Sequence, residues 1–155
     1  MTTILTAGTG EITGDPAAVT DRYLTSCDRF ALVEHAMAPR ALAAPVHRHS
    51  REDEYSFVLE GKVGVLLGEE EIVGGPGDLI FKPRGQWHTF WNAGDEPARV
   101  LEIISPSGLE HLFRALGALT EPPAPSALAD MAAEYGCDVD FAATGPLAER
   151  HGLLF

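Results

Sequence analysis

Residues 55–67 read as two runs of β-formers, YSFVLE (Tyr55–Glu60) and KVGVLL (Lys62–Leu67), parted by Gly61. So short a spacer predicts a β-hairpin. Outward from it the same grammar repeats. Phe30 to Met37 is an apolar-rich run stopped by Pro39, and Val46 to His49 is a shorter one. Glu71 to Val73 ends at Gly74-Gly75-Pro76-Gly77, and Asp78 to Lys82 (DLIFK) closes at Pro83-Arg84-Gly85. His88 to Trp91 and Ala98 to Ser105 (ARVLEIIS) flank the turn Asn92-Ala93-Gly94-Asp95. Many short strands between Gly/Pro turns predict an all-β sandwich or barrel. Closure also removes the exposed edges that such strands would otherwise leave.

The flanks read differently. Residues 1–28 are Thr-, Gly- and Ala-rich and predict an N-terminal arm adding an edge strand or two to a barrel spanning 29–105. Residues 106–155 predict a helical C-terminal extension. Ser107-Gly108-Leu109-Glu110 fits a capping box. Leu109, Leu112, Phe113 and Leu116 form one stripe after it, and Gly117 is the expected stop. After the stiff linker Glu121 to Pro125, Ser126 is the expected cap of a second helix that runs through Tyr135 and is stopped by Gly136. A third helix is expected to begin near Pro146.

The chain has 155 residues and a net charge of −12, with 45% hydrophobic and 22% charged residues. At roughly 100–200 residues per domain, one domain with a full core is expected. The acidic balance repels a phosphate backbone, so nucleic acid is excluded as an expected partner. No run reaches the ~18 apolar residues of a membrane span. Met1 to Gly14 lacks a basic n-region and a long apolar h-region, so a cytoplasmic location is expected. Two isolated thiols, Cys27 and Cys137, are expected to stay reduced there.

The chemistry concentrates in four residues. His47 and His49 are two apart, which on a strand puts both imidazoles on one face. A hairpin at Ser50 to Asp53 would bring Glu54 back beside them, and His88 is the fourth candidate. Imidazoles with a carboxylate suit Fe, Ni, Mn, Zn or Cu, and the lack of a thiolate argues against a structural zinc site. Four protein ligands leave open positions on an ion that takes five or six, where a substrate can bind.

These residues carry a resemblance. His47-x-His49-x4-Glu54-x6-Gly61 matches the first cupin motif from its histidine onward. Gly77-x5-Pro83-x-Gly85-x2-His88-x3-Asn92 matches the second at every defining position. One departure is Ala41, where a turn glycine often stands. The resemblance covers about residues 29–105 and is to compact, single-domain bacterial cupins. The tail, with Ser105 to Glu110 and Tyr135-Gly136, resembles that of quercetin-dioxygenase-like members. The resemblance implies a double-stranded β-helix, or jelly-roll barrel. It implies one divalent transition metal held by His47, His49, Glu54 and His88, and a homodimer.

Other residues take plainer expectations. Phe90 shares the His88 face, and Ser56 and Val58 share the Glu54 face, so all three are pocket candidates. His35 is expected to be a packed or surface histidine, and His111 and His151 to be solvated. Asn92 is expected to secure a strand end by hydrogen bonds. Trp87 and Trp91 alternate with His88 and should face away from the metal. Glu69 to Glu71 read as a solvated turn, and Phe113 and Leu116 as packing of the tail.

Three functions follow. By resemblance, the first is a quercetinase-like dioxygenase acting on an aromatic or enolisable small-molecule substrate. In such a reaction Glu54 would take the hydroxyl proton before dioxygen attacks. The second keeps the metal without redox chemistry, as in related isomerases and polyketide cyclases. The third is a non-enzymatic small-molecule-binding cupin. A sensor acting on DNA would need a basic helix-turn-helix domain, for which this acidic chain has no room.

Overall fold

The computed structural model describes residues 4–155. In chain order the strands are β1 (Glu11–Gly14), β2 (Val19–Cys27), β3 (Phe30–Met37), β4 (Val46–His49), β5 (Asp53–Glu60), β6 (Val63–Leu67), β7 (Glu70–Gly74), β8 (Leu79–Lys82), β9 (His88–Asn92) and β10 (Ala98–Ser105). Helices α1 (Glu110–Gly117) and α2 (Pro125–Glu134) follow, then strand β11 (Cys137–Asp140) and helix α3 (Phe141–His151). Two antiparallel sheets face each other, one ordered β1-β2-β3-β10-β5-β8 and the other β11-β4-β9-β6-β7. The result is a jelly roll.

Strand alternation sets the inner face. Ala31, Val33, His35 and Met37 of β3 point inward, as do Ala98, Val100, Glu102 and Ile104 of β10. Val58, Val63, Val65, Ile80, Phe90 and Val100 close one end of the barrel between the sheets. Each such side chain contributes roughly 1.5–3 kcal/mol on burial. Arm strands β1 and β2 extend the first sheet through β2–β3 pairing; residues 1–3 of the arm lie outside the described residues.

The expected hairpin between Tyr55–Glu60 and Lys62–Leu67 does not form. β5 pairs with β10 and β8, whereas β6 pairs with β7 and β9 in the other sheet. Gly61 makes this corner at φ +80°, and a Cβ there would fall 2.8 Å from the Ala98 Cα. The Ser50–Asp53 turn is likewise a crossing between sheets and not a hairpin, since β4 pairs with β9 and β11. A crossing lets both strands turn their apolar sides to the same core, which a two-stranded hairpin cannot do alone.

The tail departs from its expected boundaries. Ser107 caps nothing. The Glu110 carboxylate instead accepts from Gly108 N at 2.6 Å and from Ser26 Oγ at 2.7 Å, tying the start of α1 to β2. Gly117 does end α1. α2 opens two residues early, capped at Ala124 and not Ser126, with Pro125 first, whose fixed φ suits a first helical turn. Pro146 lies inside α3, which Asp140 caps by accepting from Ala143 N. The segment before that cap is a strand, β11, which covers the outer edge of β4. Trp91 points to the outer face of its sheet under Leu147 of α3, with the His151 ring 4.8 Å away. His151 is therefore half-buried and hydrogen-bonded to Glu71, which also pairs with Arg150. Glu69 lies in the exposed β6–β7 turn, as expected, whereas Glu70 and Glu71 begin β7 and Glu71 is partnered. Asn92 secures its strand end: Nδ2 donates to the carbonyls of Met37, Ala38 and Glu96, and Oδ1 accepts from Gly94 N.

Gly64 is the cross-strand partner of Trp91, and a Cβ on Gly64 would fall within the indole ring. Gly64→Ala is expected to lower stability by about 1–3 kcal/mol through overpacking. Urea unfolding followed by tryptophan fluorescence measures this, and an unchanged midpoint would show that the indole moves aside freely.

Candidate metal centre

Both sheets contribute to one cluster. β4 carries His47 and His49, its neighbour β9 carries His88 as the cross-strand partner of His47, and β5 brings Glu54 from the opposite sheet. The ring centroids of His47 and His88 are 4.4 Å apart, and those of His49 and His88 are 4.9 Å apart. One potential ligand atom from each of the four residues lies within 4.8 Å of the others. His49 Nε2 and His88 Nε2 each stand 3.2 Å from Glu54 Oε2. Two ligands about 2.1 Å from one ion and at right angles would be about 3.0 Å apart, so these separations fit ligands of a shared ion.

Backbone carbonyls fix the tautomers. His47 Nδ1 donates to the Pro45 carbonyl at 2.7 Å, His49 Nδ1 to that of Glu52 at 2.8 Å, and His88 Nδ1 to that of Gln86 at 2.9 Å. A carbonyl only accepts, so each Nδ1 carries the proton and each neutral ring keeps its lone pair on Nε2. Three lone pairs and a carboxylate then converge in a buried space. His49 Nε2 is buried without a hydrogen-bond partner. Buried polar atoms left in that state are unfavourable, and a divalent cation removes the deficit. The residues fit such an ion.

Electrostatics sharpen the point. Burial, reinforced by His88, pushes the His47 imidazole down to about 3, so the ring is neutral near pH 7. Burial also disfavours charge on His49, but the Glu54 carboxylate outweighs it and raises this group. A proton and a metal ion therefore compete for His49 Nε2, and metal affinity falls as pH drops. Burial would raise the Glu54 carboxyl, yet the Lys82 ammonium at 3.2 Å and the two imidazoles hold it well below the ordinary carboxylate range. A carboxylate held anionic in this way suits a metal ligand.

Lys82 is itself fully buried and also lies 3.0 Å from Glu102 Oε1. Glu102 Oε2 accepts from Ser56 Oγ at 2.7 Å. Ser56 is thus part of the support behind Glu54, and Val58 is part of the closed apolar core; neither lines the cavity. Of the pocket candidates Phe90 does. Lys82 and Glu102 escaped the sequence reading, although a signal was present. Each occupies an inward position of its strand, Lys82 in step with Ile80 and Glu102 between Val100 and Ile104.

The cavity beside the centre holds about 280 Å³. His47 and Glu54 reach its wall, whereas His49 and His88 are fully buried behind them. Most of the remaining wall is apolar, including Phe90, Leu112, Phe113, Leu116 and Val139. Phe113 and Leu116 thus both pack the tail and enclose the cavity. His35 and Asp21 add a polar pair to the same wall. His35 is buried rather than at the surface, while His111 is exposed. Trp87 lies under the Arg48 guanidinium, whose Cζ is 4.6 Å from the indole ring centroid.

A family model described as the cupin domain matches residues 33–104. The chain belongs to the cupin superfamily. A curated relative, the tetracenomycin polyketide synthase protein TcmJ of Streptomyces glaucescens, is 38% identical over 60 residues. That match spans 39% of this cupin and 40% of TcmJ. Among solved structures, TT1209 from Thermus thermophilus is 30% identical with a TM-score of 0.56, covering 59% of this chain and 87% of that one. KdgF from Halomonas sp. is 18% identical with a TM-score of 0.64, covering 72% and 99%; at that identity the likeness concerns the fold.

His49→Ala and His88→Ala are each expected to abolish stoichiometric metal binding while the barrel persists. Elemental analysis of the purified variants, beside circular dichroism, checks both halves. Wild-type metal content in either variant would contradict the ligand set.

Proposed function

We propose that this cupin is a metal-dependent enzyme, a dioxygenase of the quercetinase type, acting on a compact enolisable or aromatic substrate. The observation that carries the reading is a cluster of three Nε2 lone pairs and one carboxylate that opens, through His47 and Glu54, on a mainly apolar cavity. The ion, when bound, supplies Lewis acidity toward an enol or phenol oxygen and, if it is Fe, Ni, Mn or Cu, a partner for dioxygen chemistry. The protein supplies the rest. Phe90, Phe113 and Leu116 favour a flat apolar body, and the enclosing tail helices keep bulk water from the reacting atoms. About 280 Å³ lies just below the usual range of small-molecule pockets, roughly 300–1,000 Å³. That size favours substrates of one or two rings over a full flavonol.

A second reading is a redox-neutral isomerisation or cyclisation of the same kind of substrate. The likeness to TcmJ, a polyketide synthase protein, favours it. Oxygen consumption separates the two. Metal-loaded protein is screened with 1,3-diketones, simple phenols and flavonols. Uptake of dioxygen in step with substrate loss is expected, and equal turnover in strictly anaerobic buffer would replace the first reading with the second.

Among the described residues no helix is long and apolar enough to cross a membrane. The outer face of the first sheet exposes Phe57, Leu59, Leu79 and Phe81 beside edge strand β8, with Tyr55 stacked on Phe81 at 4.8 Å. We propose that two copies pair through this face. Light scattering is expected to give a dimer of the 16.6 kDa chain, and Phe81→Glu a monomer. A monomeric wild type would remove the proposal.

A further inference from the structure

The Asp21–His35 pair has no part in the metal cluster, yet it lines the same cavity as His47 and Glu54. The two residues are cross-strand partners on β2 and β3, and His35 Nδ1 lies 2.7 Å from Asp21 Oδ1. Nδ1 donates, which directs the ring's other nitrogen away from Asp21. Nε2 makes no hydrogen bond among the described residues. The ring sits between two cavity-lining aromatics, 5.6 Å from Phe90 and 5.7 Å from Phe113 by centroid. A cross-strand ion pair made only for stability would sit as well on the outer face of the sheet. This one points into the room where a substrate must lie, in a wall otherwise mostly apolar.

We infer that His35 is the general base of this site, with Asp21 as its positioning residue, and that it removes the proton from the enolisable carbon or hydroxyl of a 1,3-dicarbonyl or related compound. The inference rests on the enolisable-substrate reading above. In the step, the C–H or O–H bond of the substrate breaks and an N–H bond forms at His35 Nε2. For a C–H acid the electron pair passes to the adjoining carbonyl oxygen as an enolate. The new imidazolium charge is offset by the Asp21 carboxylate, so no oxidant or further reactant is needed.

The charges around His35 agree with this role. Burial alone would lower its affinity for a proton, but the Asp21 carboxylate, aided by Glu102 on β10, raises the group above the ordinary 6.5. Lys82 on β8 opposes them more weakly. Phe90 of β9 and Phe113 of α1 bring no charge to the ring. The base form is the neutral ring, so the reaction rises with pH through this raised value and levels above it.

The test is solvent deuterium exchange into the central methylene of 1-phenylbutane-1,3-dione, followed by proton NMR with zinc-loaded protein. Wild type is expected to accelerate exchange well beyond the same concentration of free zinc. His35→Gln is expected to slow it about a hundredfold, at unchanged zinc content and melting temperature. Asp21→Asn keeps an acceptor for Nδ1 but removes the charge. It is expected to move the pH inflection down by about one to three units, which a purely structural pair would not do. Exchange in His35→Gln equal to wild type overturns the assignment of the base alone. So does a slow His35→Gln without any shift in Asp21→Asn, because a packing effect then explains the loss. Failure of wild type itself to accelerate exchange overturns the enolisable-substrate reading and the base with it. Loss of fold in His35→Gln leaves the Asp21→Asn inflection to decide: a downward shift supports the base, and a fixed inflection overturns it.

Discussion

Three hydrogen bonds from imidazole Nδ1 to backbone carbonyls govern this molecule's chemistry. The carbonyls of Pro45, Glu52 and Gln86 fix the Nδ1 protons of His47, His49 and His88. Each acceptor lies two or three residues from its histidine, so each ring is oriented by its own loop. The result is a set of lone pairs aimed at one point before any ion arrives. Such preparation lowers the ordering needed on binding. It also explains the two sheets: β4 and β9 bring the imidazoles and β5 the carboxylate, and only a closed double sheet holds them face to face.

Behind the ligands lies a second polar layer whose logic is electrostatic. Glu54 would be costly to bury ionised on its own, and Lys82 answers that charge. Lys82 would in turn carry excess positive charge toward the core, and Glu102 answers it. Ser56 supplies one more hydrogen bond to Glu102. Removing one member of such a set strands a charge and destabilises by about 3–5 kcal/mol. The layer keeps Glu54 anionic, which a ligand to a divalent ion must be.

Much of this was legible in the order of residues. The two-residue spacing of His47 and His49, the turn glycines Gly61, Gly77 and Gly85, and the alternation within ARVLEIIS all report strand geometry directly. The sheet partners were less legible. Local spacing around Gly61 and Ser50–Asp53 suits a hairpin and a crossing equally, and only the global requirement to bury both inner faces decides between them. The tail is the least legible part of the chain. Asp140 as a cap and Cys137–Asp140 as a strand depend on pairing with β4, a contact between residues some 90 positions apart that no local pattern announces. Lys82 and Glu102 were visible as charges at inward positions, but their partnership spans two non-adjacent strands.

The pairing of β11 with β4 sets Cys137 opposite His49 and Val139 opposite His47. The same four-residue strand that walls the cavity thereby occupies backbone donors and acceptors that would otherwise face outward beside the histidines. Without it, the histidine-bearing strand β4 would become an open template for intermolecular β-pairing. The C-terminal extension is thus a guard against self-association as well as a wall, and shortening it to enlarge the cavity would cost solubility.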